Sequence, residues 1–198
     1  LKEFDQPGHW YTSFPSLNHW GDFKHSDYVK ALDSFDKEKP LHLYLHIPFC
    51  KKLCYYCICN IVVSNDREKI QFFLNKLLDE IDLLHKHYPH LNIREIQLGG
   101  GTPSHLDQKQ INELFNRLNT IYDRNVVEEI AMEIDPRTVT KDDLVWYAYH
   151  GVNRISFGIQ DFDPEVQKAI NRIQPPEMID ALLTDTRSLF RGVNFDLL

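Results

Sequence analysis

All four cysteines of the chain, Cys50, Cys54, Cys57 and Cys59, lie within ten consecutive residues. Disulfides between such near neighbours would close tiny loops and staple nothing distant, so the group is not a disulfide framework for a chain of this length. Thiolates at this density are metal ligands. The two-residue gap between Cys54 and Cys57 suits zinc, but a structural zinc site draws a second ligand pair from elsewhere, and the chain has no other Cys-x-x-Cys or Cys/His pair. The C-x3-C-x2-C spacing of Cys50, Cys54 and Cys57 suits a [4Fe–4S] cube better, with three irons held by thiolates and the fourth left open to a ligand. Zinc stays as the alternative.

Around that loop stand further unusual runs: YLHIPFC before it, CYYC within it, then LGGGTP, EIDPR and FGIQDF. Together they resemble the radical S-adenosylmethionine (SAM) superfamily and, within it, the oxygen-independent coproporphyrinogen III oxidases. The resemblance runs from about residue 5 to the end of the chain. Ile58 departs from it, standing where glycine is usual, and Trp10 stands where arginine commonly precedes the tyrosine.

Several roles are implied by the resemblance. Cys50, Cys54 and Cys57 would hold the cluster. Tyr44, Tyr56, Gly100, Gly101, Thr102, Glu133, Gln160, Arg172 and Asp196 would form the SAM site, Gly100 to Thr102 at the methionine amino group. Arg172 has the fork geometry to grip a carboxylate, with an exposed ion pair as the competing reading. Cys59 and His46 are candidates to act on the substrate. The implied reaction abstracts hydrogen from coproporphyrinogen III propionates by a 5′-deoxyadenosyl radical and releases CO2 to leave vinyl groups. It requires a low-potential electron donor. A relative that modifies or carries heme is the runner-up, and a non-catalytic zinc or redox module the distant one. Valine at position 101 is expected to weaken SAM binding without disturbing the cluster loop, because a glycine run there reads as room for a ligand.

These residues need a scaffold that brings segments over a hundred positions apart to one place. Apolar or alternating runs at 42–47, 95–98, 129–134, 154–159 and 193–198 read as strands. Helical patterns lie between them at 66–87, from Asp107, at 142–149, from Asp163-Pro164, and at 176–189. Asn65 and Glu68 have the spacing of a capping box for the first of these. Alternating strands and helices imply an α/β fold with parallel strands and right-handed crossovers. The resemblance makes this a (β/α)6-type partial TIM barrel, expected to be truncated after its fifth strand. Ligands in such sheets gather beyond the carboxyl ends of the strands, where every candidate above falls.

Residues 1–40 read as an N-terminal arm before a catalytic domain over 41–198, with a short helix near 28–35 and an aromatic segment at 8–16 that either packs or covers substrate. A formal charge of −7 argues against a nucleic-acid partner. No apolar run has the length of a membrane span, and clustered free thiols suit a reducing compartment, so a cytoplasmic monomer is expected.

Overall fold

The computed structural model describes residues 21–89 and 91–198. The aromatic segment at 8–16, Trp10 included, lies outside them. The chain divides into two compact units, Leu1–Asp36 and Lys37–Leu198. In the first, α1 spans His25–Ser34, where Asp27 accepts from the Lys24 N–H at 3.2 Å.

The second unit carries five parallel strands, β1 (Leu41–Ile47), β4 (Ile93–Gly100), β5 (Glu129–Ile134), β6 (Arg154–Gln160) and β7 (Gly192–Leu197), in that spatial order. Two short strands, β2 (Phe49–Cys50) and β3 (Val62–Val63), form a separate parallel pair. Crossovers contain α2 (Arg67–His87), α3 (Gln108–Leu118), α4 (Lys141–Tyr149), α5 (Pro164–Ala169) and α6 (Pro176–Leu183).

Period-2 alternation divides the sheet into two unlike faces. Leu45, Ile47, Ile96, Leu98, Ile130, Met132, Ile134, Ile155, Phe157 and Ile159 bury on one face with α2 to α4 and α6 residues such as Leu74, Phe115, Leu144 and Ile179. Each such side chain contributes about 2 kcal/mol on burial. The opposite face carries Tyr44, His46, Gln97, Glu133, Ser156, Gln160 and Asp196. A parallel sheet covered on both sides would be apolar throughout. This one reserves a polar face, which is where a ligand belongs.

Strand β4 runs longer than the expected 95–98, the first helix begins ahead of 28, and two helix ends depart from the sequence expectation for a visible reason. The α2 cap is Asp66, whose carboxylate accepts from the N–H groups of Glu68 and Lys69, rather than the Asn65–Glu68 pair. The last helix stops at Leu183 instead of 189 and gives way to a 3-10 turn at Arg187–Leu189. Thr184 and Thr186 return their hydroxyls to the Asp180 and Leu182 carbonyls, and Asp185 turns left-handed at φ 71°. Local side-chain bonds of this kind compete with helix continuation.

His150 sits behind the sheet at 4% exposure, stacked on Phe115, with its Nε2 unpartnered. Burial pushes its pKa below the ordinary value, as it does for His105, which keeps a bond to the Ser64 carbonyl. Both are neutral in the fold and gain protons on unfolding. Their stability contribution is complete above about pH 6.5 and falls as pH drops through that value toward the depressed folded pKa. The melting temperature should therefore fall between pH 7 and 5.5, and His150→Phe should flatten that slope in a pH series of thermal melts.

Candidate functional site

β1 runs into the cysteine loop, and short-range pairing closes the loop on itself. The Val62 N–H donates to the Pro48 carbonyl at 2.7 Å and the Ser64 N–H to the Cys50 carbonyl at 3.1 Å. Two bonds tie it to the end of α5: Tyr55 N–H to the Ile170 carbonyl, and Asn171 Nδ2 to the Leu53 carbonyl at 2.8 Å. Asn171 makes its contact from a left-handed backbone, φ 56°. Segments 118 positions apart in sequence thus hold the loop over the strand ends.

The loop roofs a cavity of about 240 Å³. Its lining includes Cys50, Cys54, Cys57 and Cys59 with Tyr56, then Gly100, Gly101 and Thr102 from β4 and its turn. Glu133, Gln160, Arg172 and Asp196 from the expected set line it as well. Tyr44 and His46 are on the polar face but not on this lining. The Tyr44 hydroxyl and His46 Nδ1 lie 3.1 Å apart, and His46 Nε2 is 2.8 Å from the Asn60 carbonyl. Since a carbonyl only accepts, Nε2 carries the proton and Nδ1 accepts from tyrosine. His46 is therefore a strut between β1 and the far end of the cysteine loop.

The glycines answer to the protein before any ligand. A Cβ on Gly101 would sit 2.5 Å from the Pro48 carbonyl oxygen, and one on Gly100 2.6 Å from the His46 ring. Gly100 also lies at φ +111°, a region closed to most side chains. The Gly101 N–H donates to the Ile47 carbonyl at 2.8 Å, locking the turn under the cysteine loop. The expectation that valine at 101 spares the loop is thereby corrected.

Glu133 bridges toward this turn, its Oε2 accepting from the Gly100 N–H at 3.1 Å and its Oε1 from Gln97. Burial lifts its pKa, against the opposing pull of those two donors. Asp196 accepts from Ser156 at 2.8 Å and from Asn194 at 2.7 Å. Gln160 adopts φ 69°, which ends β6 at the cavity.

Arg172 is 7% exposed, not the surface cation the sequence left open. Its Nε and Nη2 donate to the Gly158 carbonyl, its Nε also reaches Gln174, its Nη1 reaches Cys54 Sγ at 3.4 Å, and its Nη2 pairs with Asp135 at 3.4 Å. Most of the guanidinium is already committed inside the protein. Thr102 likewise meets Cys50 Sγ at 3.3 Å.

Sequence reasoning passed over Arg137 and left Asp135 without a role. Arg137 forks onto Asp135 at 2.7 Å and extends Nη2 to Cys54 Sγ at 3.7 Å. The signal was the DPR run at the end of a strand, where a charged pair has no reason to sit unless something there needs it. Gln174 and Gln167 were also missed. They are buried amides that lace the end of β6 to the segment after α5.

Among the described residues, no three Cys, His, Asp or Glu side chains converge as tightly as a single metal ion demands. Cys50, Cys54 and Cys57 instead border a shared cavity, and the sulfurs of Cys50 and Cys54 have hydrogen-bond partners at hand. That donor set and room fit a [4Fe–4S] cube. Cys59 is the exposed member of the four and lines the same cavity.

Parallel strands, a three-cysteine loop at the first strand end and a polar face leading to it define a radical SAM domain. Residues 44–197 match the radical SAM superfamily, and the chain belongs to it. More particularly, the chain is 38% identical over 200 residues to the oxygen-independent coproporphyrinogen III oxidase of Salmonella typhimurium, and 38% over 209 residues to that of Pseudomonas aeruginosa. All of this chain and 44% of each relative are covered, so it spans under half their length. The solved Escherichia coli coproporphyrinogen III oxidase, HemN, a radical SAM enzyme, superposes with a TM-score of 0.86 at 38% identity, covering 95% of this chain and 44% of that one. No described helix is long and apolar enough to cross a membrane.

Proposed function

We propose that the chain is the radical SAM part of an oxygen-independent coproporphyrinogen III oxidase, acting on coproporphyrinogen III in heme biosynthesis with electrons from a low-potential donor. One observation carries the reading: the likeness to these oxidases extends over the whole chain, through the cysteine loop with its additional Cys59 and every strand end on the cavity.

Bound [4Fe–4S] cluster and SAM would supply a one-electron cleavage and a hydrogen-atom acceptor, chemistry that belongs to the cofactors. The chain's own residues do the placing. Cys50, Cys54 and Cys57 would hold the cluster; Arg172 donates to the Cys54 sulfur, and the Thr102 hydroxyl lies 3.3 Å from that of Cys50. Glu133, with its carboxylate fixed by Gly100 and Gln97, offers an acceptor at the cavity wall for SAM amino or hydroxyl protons, and Gln160 and Asp196 extend that wall. Tyr56 lines the cavity beside these cysteines. Cys59 lies at the same opening, where its sulfur can meet the substrate. Each propionate would lose one hydrogen atom, one CO2 and one electron to become vinyl.

The test is anaerobic reaction of the reconstituted protein with reductant, SAM and coproporphyrinogen III, measuring 5′-deoxyadenosine, CO2 and protoporphyrinogen IX. Two CO2 per protoporphyrinogen supports the reading. SAM cleavage with untouched coproporphyrinogen would remove the substrate while leaving the superfamily intact. Glu133→Gln should weaken SAM binding by roughly ten- to hundredfold, the worth of a hydrogen bond to a charged group. Iron content should be unchanged in the same samples.

A further inference from the structure

Cys54 is the one cluster cysteine that is buried, and two guanidinium groups converge on its sulfur, Arg172 Nη1 at 3.4 Å and Arg137 Nη2 at 3.7 Å. Both arginines share one carboxylate. Arg137 grips Asp135 through Nε and Nη2 at 2.9 and 2.7 Å, and Arg172 pairs with its Oδ1 at 3.4 Å. Burial alone would lift the Asp135 pKa, but Arg137 and Arg172 outweigh it and hold the carboxyl below its ordinary value. The backbone that carries the carboxylate is also fixed: the Asp135 N–H donates to Ser104 Oγ at 3.2 Å, its main-chain carbonyl accepts from Thr138 Oγ1 at 2.8 Å, and those two hydroxyls lie 2.8 Å apart.

Two fixed cations and one anion leave a net positive charge beside one sulfur. Cys50 and Cys57 have no comparable pair: Cys50 has the neutral Thr102 hydroxyl, and no guanidinium bond to Cys57 occurs among the described residues. Hydrogen bonds and charge at cluster sulfurs set cluster potentials. One buried and one half-buried donor at one corner also stabilise the added negative charge of a reduced cluster more than they would in water.

We propose that Arg137, held by Asp135, is a positioning residue that raises the reduction potential of the cluster through the Cys54 sulfur, with Asp135 setting how much of the positive charge that sulfur feels. The two residues then act with opposite sign. Removing Arg137 leaves one cation and one anion, so reduction becomes harder. Removing the Asp135 charge leaves two cations, so reduction becomes easier.

The experiment is an EPR-monitored redox titration of reconstituted wild type, Arg137→Gln, Arg137→Lys and Asp135→Asn, each with iron and sulfide counted. Arg137→Gln should lower the one-electron reduction constant about tenfold, a shift of about 59 mV downward, and Asp135→Asn should raise it by a similar factor. Arg137→Lys, which keeps the charge but not the fork, should fall between wild type and the glutamine variant. Opposite shifts at full iron occupancy support the proposal, since a merely structural role would not reverse sign. Unshifted potentials, or shifts in one direction for both residues, would overturn it. Should Asp135→Asn fail to load a cluster, the order of glutamine, lysine and wild type decides alone. The inference rests on the cluster reading but not on the substrate, and the counts separate the two: a wild type without iron and sulfide fails the cluster, loaded variants with wild-type potentials fail only the inference.

Discussion

Cys54→Ala is expected to abolish the brown [4Fe–4S] absorbance and the bound iron after anaerobic reconstitution, and Cys50→Ala and Cys57→Ala should do the same. A cube held by three protein thiolates has no spare ligand. At position 54 the loss has a second component, because the buried Arg172 and the half-buried Arg137 would be left facing an apolar methyl. Leaving buried charged donors without their partner costs about 1–3 kcal/mol or more. Cys59→Ala, by contrast, should keep its cluster, since three other thiolates already hold the cube and this cysteine is the exposed member of the loop. Absorbance and iron content of the four alanine variants, measured side by side, check the assignment. Loss of iron from Cys59→Ala equal to that from Cys57→Ala would reassign the ligands.

Gly101→Val is expected to destabilise the domain by about 3 kcal/mol and to lose the cluster loop with it, an overpacking effect at the severe end of its range. The first atom of the new side chain would lie 2.5 Å from a backbone oxygen at Pro48, with the Phe49 carbonyl 2.9 Å away. Neither can rotate aside as a flexible side chain would, and both belong to the segment that enters the cysteine loop. A loss of that size corresponds to a fall of roughly 6–12 °C in melting temperature for a domain of this length. Thermal melts and iron content of Gly101→Ala and Gly101→Val decide it: a normal melting point with a normal cluster in the valine variant would show that β1 and β4 approach less closely than they do here. Gly151→Ala is the useful control, since its Cβ meets only Ile130 at 3.5 Å although φ is +99°, so its cost is backbone strain without a clash.

The partition between what was legible in the chain and what was not follows the range of the forces involved. Strand and helix positions could be read because burial repeats every two or 3.6 residues, and Ile130, Met132 and Ile134 or Ile111, Leu114 and Leu118 carry that period plainly. The candidate cluster ligands could be picked out because their spacing is a property of one short loop. Local chemistry at helix ends was less secure: Asn65 and Asp66 are adjacent and both are good caps, and only the backbone entering α2 chooses Asp66. Most of the expected cofactor residues do meet at one cavity, since parallel strands deliver their carboxyl ends to one edge.

What neighbours in space would do with a residue was not legible. Arg172 read as a free fork until the fold buried it against Gly158, Asp135 and Cys54. Gly101 read as space for a ligand until Pro48 filled it, and His46, for which a structural and a functional role both stood open, proves to bond Tyr44 and Asn60 through its two ring nitrogens. Arg137 drew no notice because its partner sulfur lies 83 positions earlier in the chain. The sequence by itself determined the class of protein, the parallel order of its elements and the thiolates available to a cluster, all of which depend on short-range pattern. Only the tertiary structure decided which donors reach those sulfurs, because a hydrogen bond or a steric clash acts over about 3 Å, and closing the loops that bring residues 54, 137 and 172 to that distance is a property of the whole sheet.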